Sequence, residues 1–231
     1  MLRILLLLAV LASGVLATAI HRGDLRLSPG WNPFGPLVID APPGPFTGMQ
    51  LTRLERDGNA CFAALQAAGI ALERVPDRAV SEGCGWTDAG RARPGLLGAA
   101  QGFVATCPLV ASLAMFERHV VAPAARDRLG TEIRRIDHLG TYACRNLYGR
   151  STGRRSEHAG ANAIDIAAFR TADGRTISVA RDWDSGGPEG AFLREVHAGA
   201  CRFFDVVLGP DYNRAHQDHF HLDRGRYRAC S

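Results

Sequence analysis

The chain has no lysine: all 27 of its basic residues are arginine, and against 23 acidic residues they leave a formal net charge of +4 over 231 positions. The arginines form no basic helix, and aromatic residues at 7% are too sparse to interleave with them as a stacking stripe, which argues against nucleic-acid binding. A mildly basic surface instead suits an anionic partner such as a cell-wall polymer. Cys-x-x-Cys is also missing, which excludes a zinc ribbon or a redox pair; Cys61, Cys84, Cys107, Cys144, Cys201 and Cys230 stand singly along the chain. An even number spread in this way reads as three disulfides formed in an oxidising compartment, with the pairing left open. There is no internal repeat and no low-complexity tract. With 46% hydrophobic residues, the chain can bury the core of one domain.

The longest hydrophobic run is at the N-terminus. Arg3 precedes Ile4–Leu11, and small residues follow, ending in Ala17-Thr18-Ala19. This reads as a secretory signal cleaved after Ala19 or, with about 17 apolar residues as far as Ile20, as a retained anchor of residues 1–20. In either case the remainder is exported to the periplasm or the extracytoplasmic face of the membrane. Residues 21–47 are rich in proline (Pro33, Pro36, Pro42, Pro43, Pro45) and read as an extended connector that lies over the domain or links it to the membrane. Residues 48–231 form the domain.

Within the domain, Thr52-Arg53-Leu54-Glu55 has the form of a capping box opening a helix to about Ala68. Residues 84–102 are glycine-rich and predict a loop or weak hairpin. A helix is expected from Pro108 to about His119, with Pro123 disturbing its end, and another from Pro188 to Cys201. Strands are predicted at 132–137, 141–144, 161–167, 176–179, 204–208 and 219–222. Helices first and strands later predict an α+β fold, with helices packed on a mostly antiparallel, disulfide-stapled sheet.

Chemistry concentrates in two stretches, Ser156–Asp165 and His216–His221, which hold four of the eight histidines. Ile164 and Ile166 flank Asp165, so in a strand both isoleucines enter the core and the carboxylate points to the opposite face. His158 lies seven residues earlier, across a turn containing Gly160. His219 and His221 alternate with Phe220 and Leu222 in the same way, so one imidazole can bind a metal while the other reaches the attacking water. Three protein ligands drawn from His and Asp, with a fourth position left to water, are the composition of a catalytic zinc site. The competing reading is a buried hydrogen-bond network without metal. His21, His119, His138 and His197 are isolated and read as structural, and Ser156 as a loop cap.

These motifs resemble two groups. Ser-x-His-(x)6-Asp followed by His-x-His is similar to the zinc signature of the LAS peptidases, which include D-Ala-D-Ala carboxypeptidases and murein endopeptidases. The closer resemblance is to the bacterial extensin-like C-terminal domain family, carried by Tyr142–Arg145, Ser156–Ala159, Asn162–Asp165, Leu208–Asn213 and Asp218–Asp223, and covering roughly Pro33 to Cys230. The LAS resemblance implies a LAS/hedgehog-like zinc peptidase core, with Zn2+ held by His158, Asp165 and His221. It implies His219 as general base or water-orienting group, with His216 and Asp218 as further catalytic candidates. Arg145 is a candidate for holding a substrate carboxylate. Ala161 stands where many peptidases of the group have glycine. The implied substrate is peptidoglycan, cut in its stem peptides or cross-links; the alternatives are a zinc-stabilised wall-binding domain without activity and an amidase or esterase on another envelope substrate.

Overall fold

The apolar N-terminus is a single helix, α1 (Leu2–Arg22), in a computed structural model that describes residues 2–231 and, of Val80 and Ser81, only the backbone. With 21 residues, a mean hydropathy of 2.3 over an 18-residue stretch and no buried side chain, α1 is long and apolar enough to cross a membrane, a test that a signal sequence also passes. The proline-rich stretch after it is not a loose spacer. Leu37 and Ile39 enter the hydrophobic core, and the Gln50 amide donates to the carbonyls of Pro29, Asn32 and Gly35, fixing the segment as a strap over the domain.

Two helices, α2 (Thr47–Leu54) and α3 (Gly58–Ala67), replace the single helix expected from Thr52. The Thr52 hydroxyl is inside α2 and donates to the Gly48 carbonyl four residues back, so it caps nothing. The functional N-cap is Asp57, whose carboxylate accepts from the Ala60 N–H, a contact that contributes about 1 kcal/mol. The glycine-rich stretch is also more ordered than expected. After β1 (Glu73–Arg74), the strands β2 (Arg78–Ser81) and β3 (Cys84–Trp86) pair as a hairpin. Next, β4 (Ala89–Ala92) and β5 (Phe103–Thr106) join β1 in a three-stranded sheet.

The central helix α4 (Cys107–Phe116) is buried along its whole length. Pro123 does not end it: wider π-helical turns at Glu117–Val121 and Ala125–Leu129 bracket α5 (Ala122–Ala124), and the helical path runs on to Leu129. A π turn is one of the ways a helix absorbs the hydrogen bond that proline cannot donate.

The main sheet carries the site. It comprises β6 (Ile133–Gly140), β7 (Ala163–Thr171), β8 (Thr176–Ser178), and, after α6 (Val179–Asp182) and α7 (Pro188–Ala200), β9 (Val206–Leu208), β10 (Phe220–Asp223) and β11 (Ala229–Cys230). Strand order is β11-β9-β10-β7-β6, with β8 also on β7; every pair is antiparallel except β11 with β9. The fold is thus mixed α/β, with helices on a largely antiparallel sheet. Residues 141–144, expected as a separate strand, instead form the loop that leaves β6. The inward faces match the alternation in the sequence: Ile164, Ile166, Phe220 and Leu222 are each no more than 3% exposed.

Three disulfides join elements distant in sequence. Cys61–Cys107 links α3 to the start of α4, Cys84–Cys144 ties β3 to the loop after β6, and Cys201–Cys230 ties the end of α7 to β11.

Candidate metal centre

Register brings the two motifs together. β10 runs antiparallel to β7 with His221 directly opposite Asp165 and Phe220 opposite Ile166, so the inward hydrophobic pairs leave the two polar side chains facing each other on the other side. His158 arrives from a short 3-10 turn, Glu157–Gly160, capped by Ser156, whose hydroxyl accepts from the His158 N–H. The turn closes on Ala161 with φ 53° and ψ 31°, the left-handed region that costs a side-chain-bearing residue about 1–2 kcal/mol and that glycine adopts freely.

Three donor atoms converge. His158 Nε2 lies 3.1 Å from Asp165 Oδ1 and 3.2 Å from His221 Nδ1, and His221 Nδ1 lies 2.9 Å from the same carboxylate oxygen. The opposite ring nitrogens fix the tautomers. His158 Nδ1 meets the Thr141 carbonyl at 3.2 Å, and His221 Nε2 meets the Asp223 carboxylate at 2.9 Å; both partners only accept, so each imidazole carries its proton there. In the neutral rings, lone pairs therefore point at each other and at Asp165. Three acceptors within about 3 Å of one another repel unless a cation lies between them or an imidazole takes up a second proton. Zinc bonds of about 2.0–2.1 Å in tetrahedral geometry place neighbouring donors roughly 3.3 Å apart, close to what is seen, so these residues fit a zinc ion.

The electrostatics agree with that chemistry. Without an ion, a second proton on an imidazole fills the same place: burial alone would push the Asp165 carboxyl up, but the hydrogen bonds that His158 and His221 donate when protonated, and their charge, outweigh it and hold Asp165 well below the usual carboxylate range. Burial would likewise depress His221; the carboxylates of Asp165 and Asp223 on its two nitrogens raise it to about 9. An imidazole between two carboxylates, 8% exposed, is in a site built to hold positive charge.

Around this triad the other candidates take distinct positions. His219 is outside it, with Nε2 3.6 Å from Asp165 Oδ1 and Nδ1 held at 2.7 Å by Asp218. Asp218 itself is exposed, and its recorded contact with the site is through His219. The His216 ring is 5.4 Å from that of His219 and 5.8 Å from that of His221. Burial, then repulsion from His221 and His219, pushes His216 down to about 4, so it is neutral near pH 7; its Nδ1 is held by the Asn213 side chain. Arg145 is exposed on the loop fastened by Cys84–Cys144, and its charge acts on His216. Trp183 is buried beside Phe220 with its N–H on Asp211, and belongs to the core.

Sequence reasoning assigned no role to two groups that matter. Asp223 orients His221, and the signal was available: it lies two residues on, hence on the same face of β10. The Thr141 carbonyl that orients His158 carried no signal, because any residue supplies one.

The family described as Extensin-like protein C-terminus matches residues 59–231, most of the domain and both motifs. No curated protein and no solved structure matches the chain.

Proposed function

The chain belongs to the extensin-like protein C-terminus family, and we propose that it is a zinc-dependent hydrolase of the cell envelope, a peptidase that cuts peptidoglycan stem peptides or cross-links. The observation that carries this reading is the convergence of His158 Nε2, Asp165 Oδ1 and His221 Nδ1 within 2.9–3.2 Å, with a fourth imidazole, His219, held just outside. A closed structural site has four protein ligands, whereas three protein ligands and a neighbouring base suit catalysis. The same arrangement supports a relationship to the LAS peptidases and their hedgehog-like core.

In this reading His158, Asp165 and His221 hold the ion, and Thr141 and Asp223 fix the two rings. Zinc, when bound, lowers the pKa of water to about 7 and polarises the scissile carbonyl. His219, with Nδ1–H donating to Asp218, keeps the Nε2 lone pair free to take the proton of the attacking water and pass it to the leaving amine. His216, neutral at pH 7, adds a hydrogen-bonding group beside it without competing for the proton. Arg145 supplies the positive charge that would hold a carboxylate of the stem peptide. Three disulfides and the apolar α1 support an extracytoplasmic site of action.

The test is digestion of purified sacculi. The zinc-loaded protein should release soluble muropeptides with new peptide termini, and a chelator should stop the release. Retention on sacculi without any product from the zinc-loaded protein would move the assignment to a wall-binding domain.

A further inference from the structure

Exposed apolar side chains are unevenly spread over the domain. Among the described residues beyond α1, large hydrophobic side chains are exposed at Leu25, Trp31, Phe34, Val38 and Met49, within 25 positions, and the remaining five are scattered between Leu139 and Tyr227. Trp31 is 59% exposed and Phe34 48%. The strap that carries them is not frayed: Leu37 and Ile39 anchor its inner side in the core, and Gln50 ties down three of its carbonyls. The outward side chains are thus held in water by a fixed backbone, and large apolar groups kept exposed along one short stretch point to an interaction surface.

Continuity with α1 says what covers it. The N–H groups of Asp24 and Leu25 turn back onto the Ala19 carbonyl at the end of α1, and the Phe34 ring packs edge-on against His21 at 5.4 Å. Nine residue steps from Arg22 to Trp31 span at most about 30 Å, so the strap stays close to the point where α1 ends. Phe34 and Val38 line an apolar groove of about 640 Å³ whose other wall is the small-residue face of α3, Ala60, Ala63 and Ala64, with Arg53 also in its lining. Met49 joins the patch through its sulfur, 3.8 Å from Arg53. The exposed charges here are of both signs, Arg22, Arg26 and Arg53 beside Asp24, Asp40 and Asp57, so the apolar side chains carry the argument; the layer of lipid headgroups accepts long arginine stems and is the one that tryptophan favours.

We propose that the face formed by Trp31, Phe34, Val38 and Met49 is seated in the interfacial layer of the membrane that α1 enters, so that the domain lies against the bilayer and does not swing on a tether. The proposal rests on reading α1 as held in the membrane. It gives the strap a function that covering the core does not require, because its core-covering residues, Leu37 and Ile39, are different ones.

The full chain is reconstituted in vesicles of phosphatidylethanolamine and phosphatidylglycerol, and Trp31 emission is taken as the difference between wild type and Trp31→Phe, since Trp86 and Trp183 remain in both. The expected result is that the Trp31 component is lost when the lipids are brominated in the upper acyl chain and is shielded from aqueous iodide. A reporter at Phe34→Trp in the Trp31→Phe background should behave in the same way. If the protein floats with the vesicles while both reporters are quenched by iodide and not by brominated lipid, the face is dry of lipid and the proposal fails with the anchor intact. If the protein does not float, the anchor reading falls and the membrane face with it.

Discussion

Replacing His219 by alanine is expected to lower turnover of cross-linked muropeptides by about 10²–10⁴-fold while zinc content stays at that of the wild type. The separation of the two effects follows from position. His219 approaches Asp165 no closer than 3.6 Å and is held from behind by Asp218, whereas the three donors meet within 2.9–3.2 Å without it. A group that moves a proton but holds no metal shows its loss in kcat, not in metal content. The same measurement on His216→Ala discriminates the two neighbours. If His219→Ala retains full activity and His216→Ala loses it, the base has been assigned to the wrong ring; if His219→Ala loses its zinc, His219 belongs among the ligands.

Asp223→Asn should weaken zinc binding by about 10–100-fold, the usual cost of removing the carboxylate behind a ligating histidine. Asp223 is 4% exposed; one carboxylate oxygen accepts from His221 Nε2 and the other from the Gly225 N–H. Asparagine keeps the shape but loses the charge and one acceptor, so His221 loses both its fixed tautomer and the negative partner that makes Nδ1 a better donor. Competition against a chromophoric zinc chelator reads the change. Unchanged affinity in a variant of wild-type thermal stability would mean that Asp223 serves the fold and not the ion.

The parts of this arrangement that depend on side-chain period were legible in the sequence. Ile164-Asp165-Ile166 and His219-Phe220-His221-Leu222 each state which residues face the core, and the antiparallel register of β7 and β10 then leaves Asp165 and His221 no place but opposite each other. The helix from Pro188 was legible for a similar reason: proline opens it, and its buried residues, Phe192, Leu193, Val196 and Ala200, recur at helical spacing. What resisted were features decided by competition. Thr52 and Glu55 match a capping box as well as Asp57 makes a real cap, and burial of Leu51 and Leu54 on α2 decided between them. Pro123 carries a breaker signal that a buried helix, flanked by π turns, overrides. Strands β4 and β5 were hidden because Ala89, Gly90, Ala92 and Ala105 pack by smallness and show no apolar alternation. The disulfide pairing needed the tertiary structure outright: Cys84 and Cys144 are 60 residues apart and meet only because the hairpin of β2 and β3 folds onto the loop that carries Thr141. Ala161 falls between these cases, since its left-handed backbone is anticipated by the glycine of similar motifs but not by alanine itself.

The claim on which the proposed activity depends is that His158, Asp165 and His221 bind one zinc ion. The direct measurement is metal content per folded chain after equilibration with zinc and exhaustive dialysis, taken on wild type and on His158→Ala. Close to one zinc is expected in the wild type and close to none in the variant. A folded wild type without zinc, or a His158→Ala variant that keeps it, would leave the three residues as a hydrogen-bonded cluster in a protein with a different activity.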